Sequence, residues 1–313
     1  MPSTAEEQAP FESKADMHET PEPPLGSALF SGRWPTLKEL FEAHDADEPL
    51  PSQRPWPDVK EPGPDLGDFP NSAFTLPKGR CYVELAPFTL AAADEESPAS
   101  YTTPFLLRYG VTDDVEFRIF ASGLTYVSGG QPSFGISPLA LDFKVHLWDD
   151  QREWLLPAAS LEVYVQTDWG SPQFTAGWEP SLNLNFDLPL NDKTNFEWTI
   201  GYTGVQDAVN VVTKRRFIPR HRFVDLETQQ SNLSVNVFSF QWALERDLTE
   251  DFQVFLHGYF NGGVLYQQGS GRAVGGGAFW RVSPRWMWFG SLNFGLTDTQ
   301  PPVFGQMGFV MAL

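Results

Sequence analysis

The chain has no run of about 18 apolar residues, which excludes a membrane-spanning helix. Its one cysteine, Cys81, excludes an internal disulfide framework and a cysteine-rich metal site; Cys81 reads as a small strand residue. Positive charge is scarce, with 21 Lys and Arg against 40 Asp and Glu and a formal net charge of -19. Binding to nucleic acid through a general basic surface is therefore excluded, because phosphate recognition relies on Lys and Arg. The five histidines form neither a two-apart pair on a strand nor a His-x-x-x-His helix, so no metal and no cofactor is expected. The glycine runs 262–263 and 275–277 are followed by no helix, so they read as places of bending or crowding in a strand rather than phosphate loops. The start, MPSTAEEQAP, lacks the basic end and apolar centre of a signal peptide. A processed chain, or a start codon placed downstream, would reconcile that with export.

What the sequence does have is alternation. From Leu182 to Tyr202, Leu182, Leu184, Phe186 and Leu188 alternate with Asn183, Asn185 and Asp187. After Asn191, Asp192, Lys193 and Thr194, the set Phe196, Trp198, Ile200 and Tyr202 faces away from Asn195, Glu197 and Thr199. A period of two places those sets on opposite faces of a hairpin. A soluble sandwich would bury the apolar face under a second sheet; a closed barrel in lipid turns it outward and keeps the polar face in its lumen.

Twelve segments carry this period: roughly 81–91, 101–109, 115–123, 138–148, 154–167, 178–189, 195–204, 233–245, 252–261, 273–282, 286–296 and 304–313. Short links (110–114, 149–153, 190–194, 246–251, 283–285) alternate with long ones (92–100, 124–137, 168–177, 205–232, 262–272, 297–303). That asymmetry belongs to a barrel with tight turns at one rim and open loops at the other. The expected fold is all-β: a closed antiparallel up-and-down transmembrane barrel of about twelve strands over 81–313, both termini at the short-turn rim, which in an outer membrane is periplasmic. Residues 1–80 read as an acidic, proline-rich periplasmic tail, mostly disordered or extended, with 15 acidic against 7 basic side chains, a net of -8. A short helix near 35–43, with Leu37, Leu40 and Phe41 on one face, either plugs the barrel mouth or is marginal in a linker.

Facing assigns the lumen. Glu116 and Arg118 oppose Val115, Phe117 and Ile119; Asp142, Lys144 and His146 oppose Leu141, Phe143 and Val145; Glu162 and Tyr164 oppose Leu161 and Val163; Gln241 and Glu245 lie opposite Phe240, Trp242 and Leu244. Glu84, Arg108, Glu179, Asn183, Asn185, Asp187, Glu197, His257, Tyr259 and Arg281 complete the inward set. In register, its acids and bases cross-pair on neighbouring strands. They line a selective path or interlock as a salt-bridge filling, since twelve strands leave only a narrow interior. No charge falls on the outward set of these strands, where Lys or Arg at mid-depth costs roughly 2–4 kcal/mol. Aromatic residues near strand ends (Tyr109, Trp148, Trp154, Trp178, Tyr202, Trp280, Trp286, Trp288) suit two interfacial girdles, or simply a strand's liking for such rings.

Two further stretches bear on partners. The segment KRRFIPRHR (214–222) is the one basic cluster, and Arg215, Arg216, Arg220 and Arg222 either contact lipopolysaccharide phosphates or an anionic ligand through Arg forks, or are solvated charges. Gln306, Gly308, Met311 and Leu313 resemble the C-terminal recognition signal that bacterial barrels present to the barrel-assembly machinery, with Leu313 in place of the usual terminal aromatic residue and Phe309 in register with it.

The residues TLPKG (75–79), Val83 and Glu84, LLRYGVTDDVEFR (106–118), Leu141 to Lys144 and FGLTD (294–298) together resemble an outer-membrane transporter-like family assigned to the MetA pathway of phenol degradation, over roughly 70–313. The resemblance implies an outer-membrane barrel concerned with passage of small, often aromatic compounds, and carries no catalytic residues. The expected function is passive uptake of small molecules by a monomer. One alternative is an enzyme of the outer-membrane phospholipase type, because His257 to Asn261 distantly resembles that family's His-x-Ser-Asn-Gly; the serine is absent, and His257 shares the inward register of Gln253 and Tyr259. Another is a structural or adhesive barrel working through 124–137 and 205–232.

Overall fold

The structure, a computed structural model, describes residues 58–93, 98–129, 132–175, 177–218, 223–262 and 270–313, with side chains described outside 206–234. The expected helix near 35–43 and the side chains of Arg215, Arg216, Arg220 and Arg222 lie outside the described residues. Fifteen strand segments follow in order: β1 (Cys81–Ala91), β2 (Ser100–Thr102), β3 (Phe105–Gly110), β4 (Val115–Ala121), β5 (Leu124–Val127), β6 (Ser133–Ile136), β7 (Ala140–Trp148), β8 (Ala158–Gln166), β9 (Glu179–Asn191), β10 (Thr194–Ile218), β11 (Phe223–Asp247), β12 (Phe252–Asn261), β13 (Gly271–Ser283), β14 (Trp286–Gly295) and β15 (Val303–Ala312).

All pair antiparallel in one sheet that closes on itself where β15 meets β1, from Tyr82 opposite Ala312 to Ala91 opposite Phe304. Three wall strands are broken in two: β2 and β3 at Thr103 and Pro104, β4 and β5 at Ser122 and Gly123, β6 and β7 at Ser137 to Leu139. Pro104 and Pro138 supply no ladder donor at two of these bends, and at the third Gly123 takes φ +64°. Counting each broken pair once, the wall has the twelve strands that the alternation called for. The seam between β1 and β15 carries a register shift between Leu85 and Phe88, where Pro87 could not have donated.

One expected loop is largely not a loop. Residues 205–218 and 223–232 extend β10 and β11 into an arm whose backbones stay paired to Ile218 opposite Phe223. Its sequence is rich in Val but mixes polar residues into both alternating sets, so it has strand propensity without the single apolar face that a bilayer demands. The arm projects past the ladder of its neighbours: β9 pairs with β10 only as far as Thr203, and β12 with β11 only from Ser239.

The exterior is apolar. Phe143, Val163, Leu182, Ile200, Phe238 and Leu244 are exposed while Asp142, Lys144, Glu162, Asn183, Thr199 and Glu245, their neighbours in sequence or along the strand, are buried. Such an exterior costs stability in water and suits a hydrocarbon layer. Tyr109, Trp154, Trp178, Tyr202 and Trp280 are likewise exposed, and all but Tyr202 sit near a strand end.

The tail reading of 1–80 does not extend to its last part. Residues 58–80 enter from the short-turn rim, run into the lumen and leave it again at Cys81. At the rim, the Val59 amide donates to Pro284 O at 2.7 Å and the Thr75 hydroxyl to Asp113 O at 2.6 Å. In the lumen, Val59, Ala73 and Leu76 have no exposed surface. The segment has no strand or helix, so its backbone donors must find other acceptors; wall carboxylates take several of them. Val59, Leu76, Tyr82, Phe255, Phe279, Phe289 and Val310 form one apolar cluster with the segment against β12 to β15, worth roughly 1.5–3 kcal/mol per fully buried large side chain. A Cβ on Gly67 would overlap the Phe279 ring, so the plug touches the wall there without room for a methyl group.

Candidate functional site

The lumen is a site shared between wall and plug, and its halves differ. On the side of β1, β3, β4, β7 and β8, wall cations alternate with wall acids. Register puts Arg118 opposite Asp142, and Lys144 opposite both Glu116 and Glu162. It also puts Arg108 directly opposite Arg118, a like-charge pair that a bare ladder would not favour. Asp65 of the plug stands between them: its Oδ2 is 2.7 Å from Arg118 Nη1, 3.5 Å from Arg108 Nη2 and 2.5 Å from Lys144 Nζ. Arg108 also reaches Glu116 Oε1 at 2.7 Å and Glu84 Oε1 at 3.2 Å, and Arg118 reaches Asp142 Oδ2 at 2.5 Å and Glu162.

Plug donors complete Glu84, Glu116 and Glu162. The Asp65 and Leu66 amides donate to Glu84 Oε2 at 3.0 and 2.8 Å, the Leu76 amide to Glu116 Oε2 at 2.7 Å, and the Asn71 side-chain amide to Glu162 Oε2 at 2.8 Å. Burial alone would raise the Asp65 carboxyl, but Arg108, Lys144 and Arg118 outweigh it and hold the group below the usual carboxylate range. Buried charges persist only when paired and hydrogen-bonded, and here the pairing is completed by a segment that is not part of the wall.

On the side of β9 to β11 the acids lack such partners among the described residues. Asp187 and Glu197 stand opposite each other, Glu245 is opposite Asn195, and Asp68 of the plug joins them. Their donors are neutral: the Asn195 side-chain amide to Glu197 Oε1 at 2.9 Å, the Gln253 side-chain amide to Glu245 Oε2 at 3.4 Å, and the Ser72 hydroxyl and Ala73 amide to Asp187 Oδ2. Lys60, the nearby cation, is taken up by Asp247 Oδ2 at 3.0 Å. Burial, followed by the neighbouring Glu245 and Asp65 carboxylates, pushes the Asp68 carboxyl well above its ordinary value.

Two cavities lie on either side of the plug. One of about 230 Å³ has Asp65, Asn71, Arg118, Glu162 and Gln166 among its polar lining, with Phe105, Phe120, Pro104 and Pro138 from the wall bends. The other, of about 190 Å³, is lined by Lys60, Ser72, Asp187, Glu197, Glu245 and Gln253, with Phe279 and Met287. Asn71 faces the first and Ser72, the next residue, the second. The plug therefore divides the interior.

The remaining residues of the expected lumen set fall as follows. His146 and His257 are buried and both lie against plug rings, Phe74 to His146 at 5.4 Å and Phe69 to His257 at 3.8 Å between centroids. His257 Nε2 meets Asn293 Oδ1 at 2.6 Å, and among the described residues no serine is bonded to it. Asn185 is buried and donates to Glu162 Oε2 at 2.9 Å, while Asn183 and Thr199 are buried beside it. Tyr164 packs edge-on to Phe120, Tyr259 bonds Gln300, Glu179 accepts from the Gln166 side-chain amide at 3.0 Å, and Gln241 stands opposite Tyr259. Arg281 sits at the rim, where it holds Asp58 at 2.6 Å and Asp251 at 2.8 Å. Sequence reasoning missed the plug half of the site: Asp65, Asp68, Phe69, Asn71, Ser72 and Phe74. It also placed Gln306 only in a C-terminal signal, whereas the Gln306 side-chain amide donates to Leu66 O at 2.7 Å.

A family model described as "Putative MetA-pathway of phenol degradation" matches residues 65–313, so the match begins at the plug residue that separates Arg108 from Arg118. No curated protein matches the chain. Among solved structures, an outer membrane channel from Pseudomonas putida F1 aligns with a TM-score of 0.52 at 11% identity, covering 78% of this chain and 99% of the channel. The NanC porin aligns with a TM-score of 0.43 at 7% identity, over 74% of this chain and 98% of the porin.

Proposed function

The chain belongs to the MetA-pathway phenol-degradation family, and we propose that it is an outer-membrane barrel for passive uptake of small molecules, including hydrophobic or aromatic ones. The observation that carries this reading is a lumen holding two cavities parted by a plug whose contacts are hydrogen bonds, ion pairs and apolar packing, all reversible without chemistry. The 230 Å³ cavity supports the solute class: Phe105, Leu106, Phe120 and Pro138 offer an apolar body, and Arg118 and Gln166 offer polar ends. Flux requires the plug to shift; no residue performs a chemical step.

In this reading the short-turn rim and both termini are periplasmic, the barrel is a monomer, and the last strand is the part presented to the assembly machinery. The arm of β10 and β11 stands at the opposite rim, where Arg215, Arg216, Arg220 and Arg222 would meet lipopolysaccharide phosphates. The test is solute flux into liposomes and conductance in planar bilayers with purified protein. Flux of a small aromatic above that of empty liposomes is expected, rising when Asn71→Ala loosens the plug. Absence of both flux and conductance in the wild type and in Asn71→Ala overturns the proposal.

A further inference from the structure

The acids on the β9 to β11 side pose a problem that hydrogen bonds leave open. One carboxylate oxygen from each of Asp68, Glu197 and Glu245 lies within 4.8 Å of the other two, and the three residues are only 8%, 9% and 8% exposed. Among the described residues, Asp68 Oδ2 is buried with no hydrogen-bond partner. Three buried carboxylates this close repel one another unless protons or a cation intervene, and the ammonium of Lys60 is engaged at Asp247 and at Glu250 O.

We propose that Asp68, Glu197 and Glu245 bind a Ca²⁺ ion that ties the plug to the barrel wall. Each donor is a hard carboxylate oxygen, with no thiolate or imidazole among them, which suits Ca²⁺ or Mg²⁺ rather than a transition metal. Geometry favours the larger ion. Carboxylates held on the plug and on two wall strands form an irregular set, which Ca²⁺ accepts with six to eight oxygens in flexible geometry, whereas Mg²⁺ demands a near-ideal octahedron. The remaining positions fall to water, for which the adjoining 190 Å³ cavity has room, with Asn195 and Gln253 lining it. Asp68 belongs to the plug, Glu197 to β10 and Glu245 to β11, so the ion would join three parts of the chain remote in sequence. The site stands without the transport reading, because binding is measured with no solute present.

The experiment is calorimetric titration of Ca²⁺ into the full chain, folded in detergent micelles and stripped with a chelator. One ion per chain is expected, with affinity falling about tenfold or more in Asp68→Asn and in Glu245→Gln and unchanged in Asp192→Asn, an exposed turn acid. Heat-modifiable gel mobility certifies that each variant is folded; Asp68→Asn leaves the wall untouched and decides the matter if Glu245→Gln does not fold. Ca²⁺ should also slow proteolysis within 58–80 in the wild type and not in Asp68→Asn. Absence of binding through the millimolar range, affinity unchanged in the folded cluster variants, or Mg²⁺ binding as tight as Ca²⁺, overturns the proposal.

Discussion

The two sides of the lumen bury carboxylates by different means. Beside β3, β4 and β7, Glu84, Glu116, Asp142 and Glu162 meet Arg108 and Arg118, and the plug adds Asp65 where two arginines would otherwise face each other. Beside β9 to β11, Asp187, Glu197 and Glu245 receive neutral donors, and the plug adds yet another acid, Asp68. The same loop thus supplies a missing anion on one side and a surplus one on the other. A single segment between two such surfaces is held by ion pairs at one edge and by neutral donors at the other, which suits the movable stopper proposed above.

Breaking the ion-paired side should cost most. Asp65→Ala leaves Arg108, Arg118 and Lys144 facing one another at full burial, and the loss of stability should be roughly 3–5 kcal/mol, read from urea unfolding of the micelle-folded barrel by tryptophan fluorescence. Next comes the plug's fit. Gly67→Leu sets a side chain against Phe279 and should cost about 1–3 kcal/mol, with the plug becoming cleavable by protease while the barrel keeps its heat-modifiable mobility.

On the other side the sign reverses. With chelator present, Glu197→Gln removes one of two like charges directly opposite each other and should stabilise the fold by about 0.2–1 kcal/mol in the same assay; a loss comparable to that of Asp65→Ala would show that the two sides do not differ. Smallest is the control at the turns, where Arg152 and Asp192 pair at 2.7 Å in solvent. Arg152→Ala should leave the urea midpoint unchanged.

How much of this was legible in the sequence depended on period. Wherever one face met lipid and the other the lumen, alternation located the strand, as with β1, β12 and the hairpin from Leu182 to Tyr202. Cross-pairing of inward acids and bases on neighbouring strands was expected from that facing, whereas the particular partners, Arg118 with Asp142 and Lys144 with Glu162, are set by the strand register. The arm of 205–232 escaped because neither of its alternating sets is wholly apolar.

The plug escaped for a different reason. Residues 58–80 have no repeat and are held by backbone amides that carry no sequence signature, so their proline content placed them with the acidic tail. The TLPKG string at 75–79 was the signal available, since it lies just ahead of β1 and within the stretch resembling the family. A metal site was not expected because histidine spacing was the criterion, and acids at 68, 197 and 245 become neighbours only once the barrel closes around the plug.

The most direct measurement of the central claim, that 58–80 occupies the lumen, is a cross-link between plug and wall. The Asn71 amide donates to Thr199 Oγ1 at 3.2 Å, so cysteines at these positions, with Cys81→Ser to remove the native thiol, should form a disulfide in the folded barrel and stop solute flux until reductant is added. A folded barrel in which Asn71→Cys and Thr199→Cys remain reduced under oxidising conditions, with flux indifferent to reductant, would contradict the account.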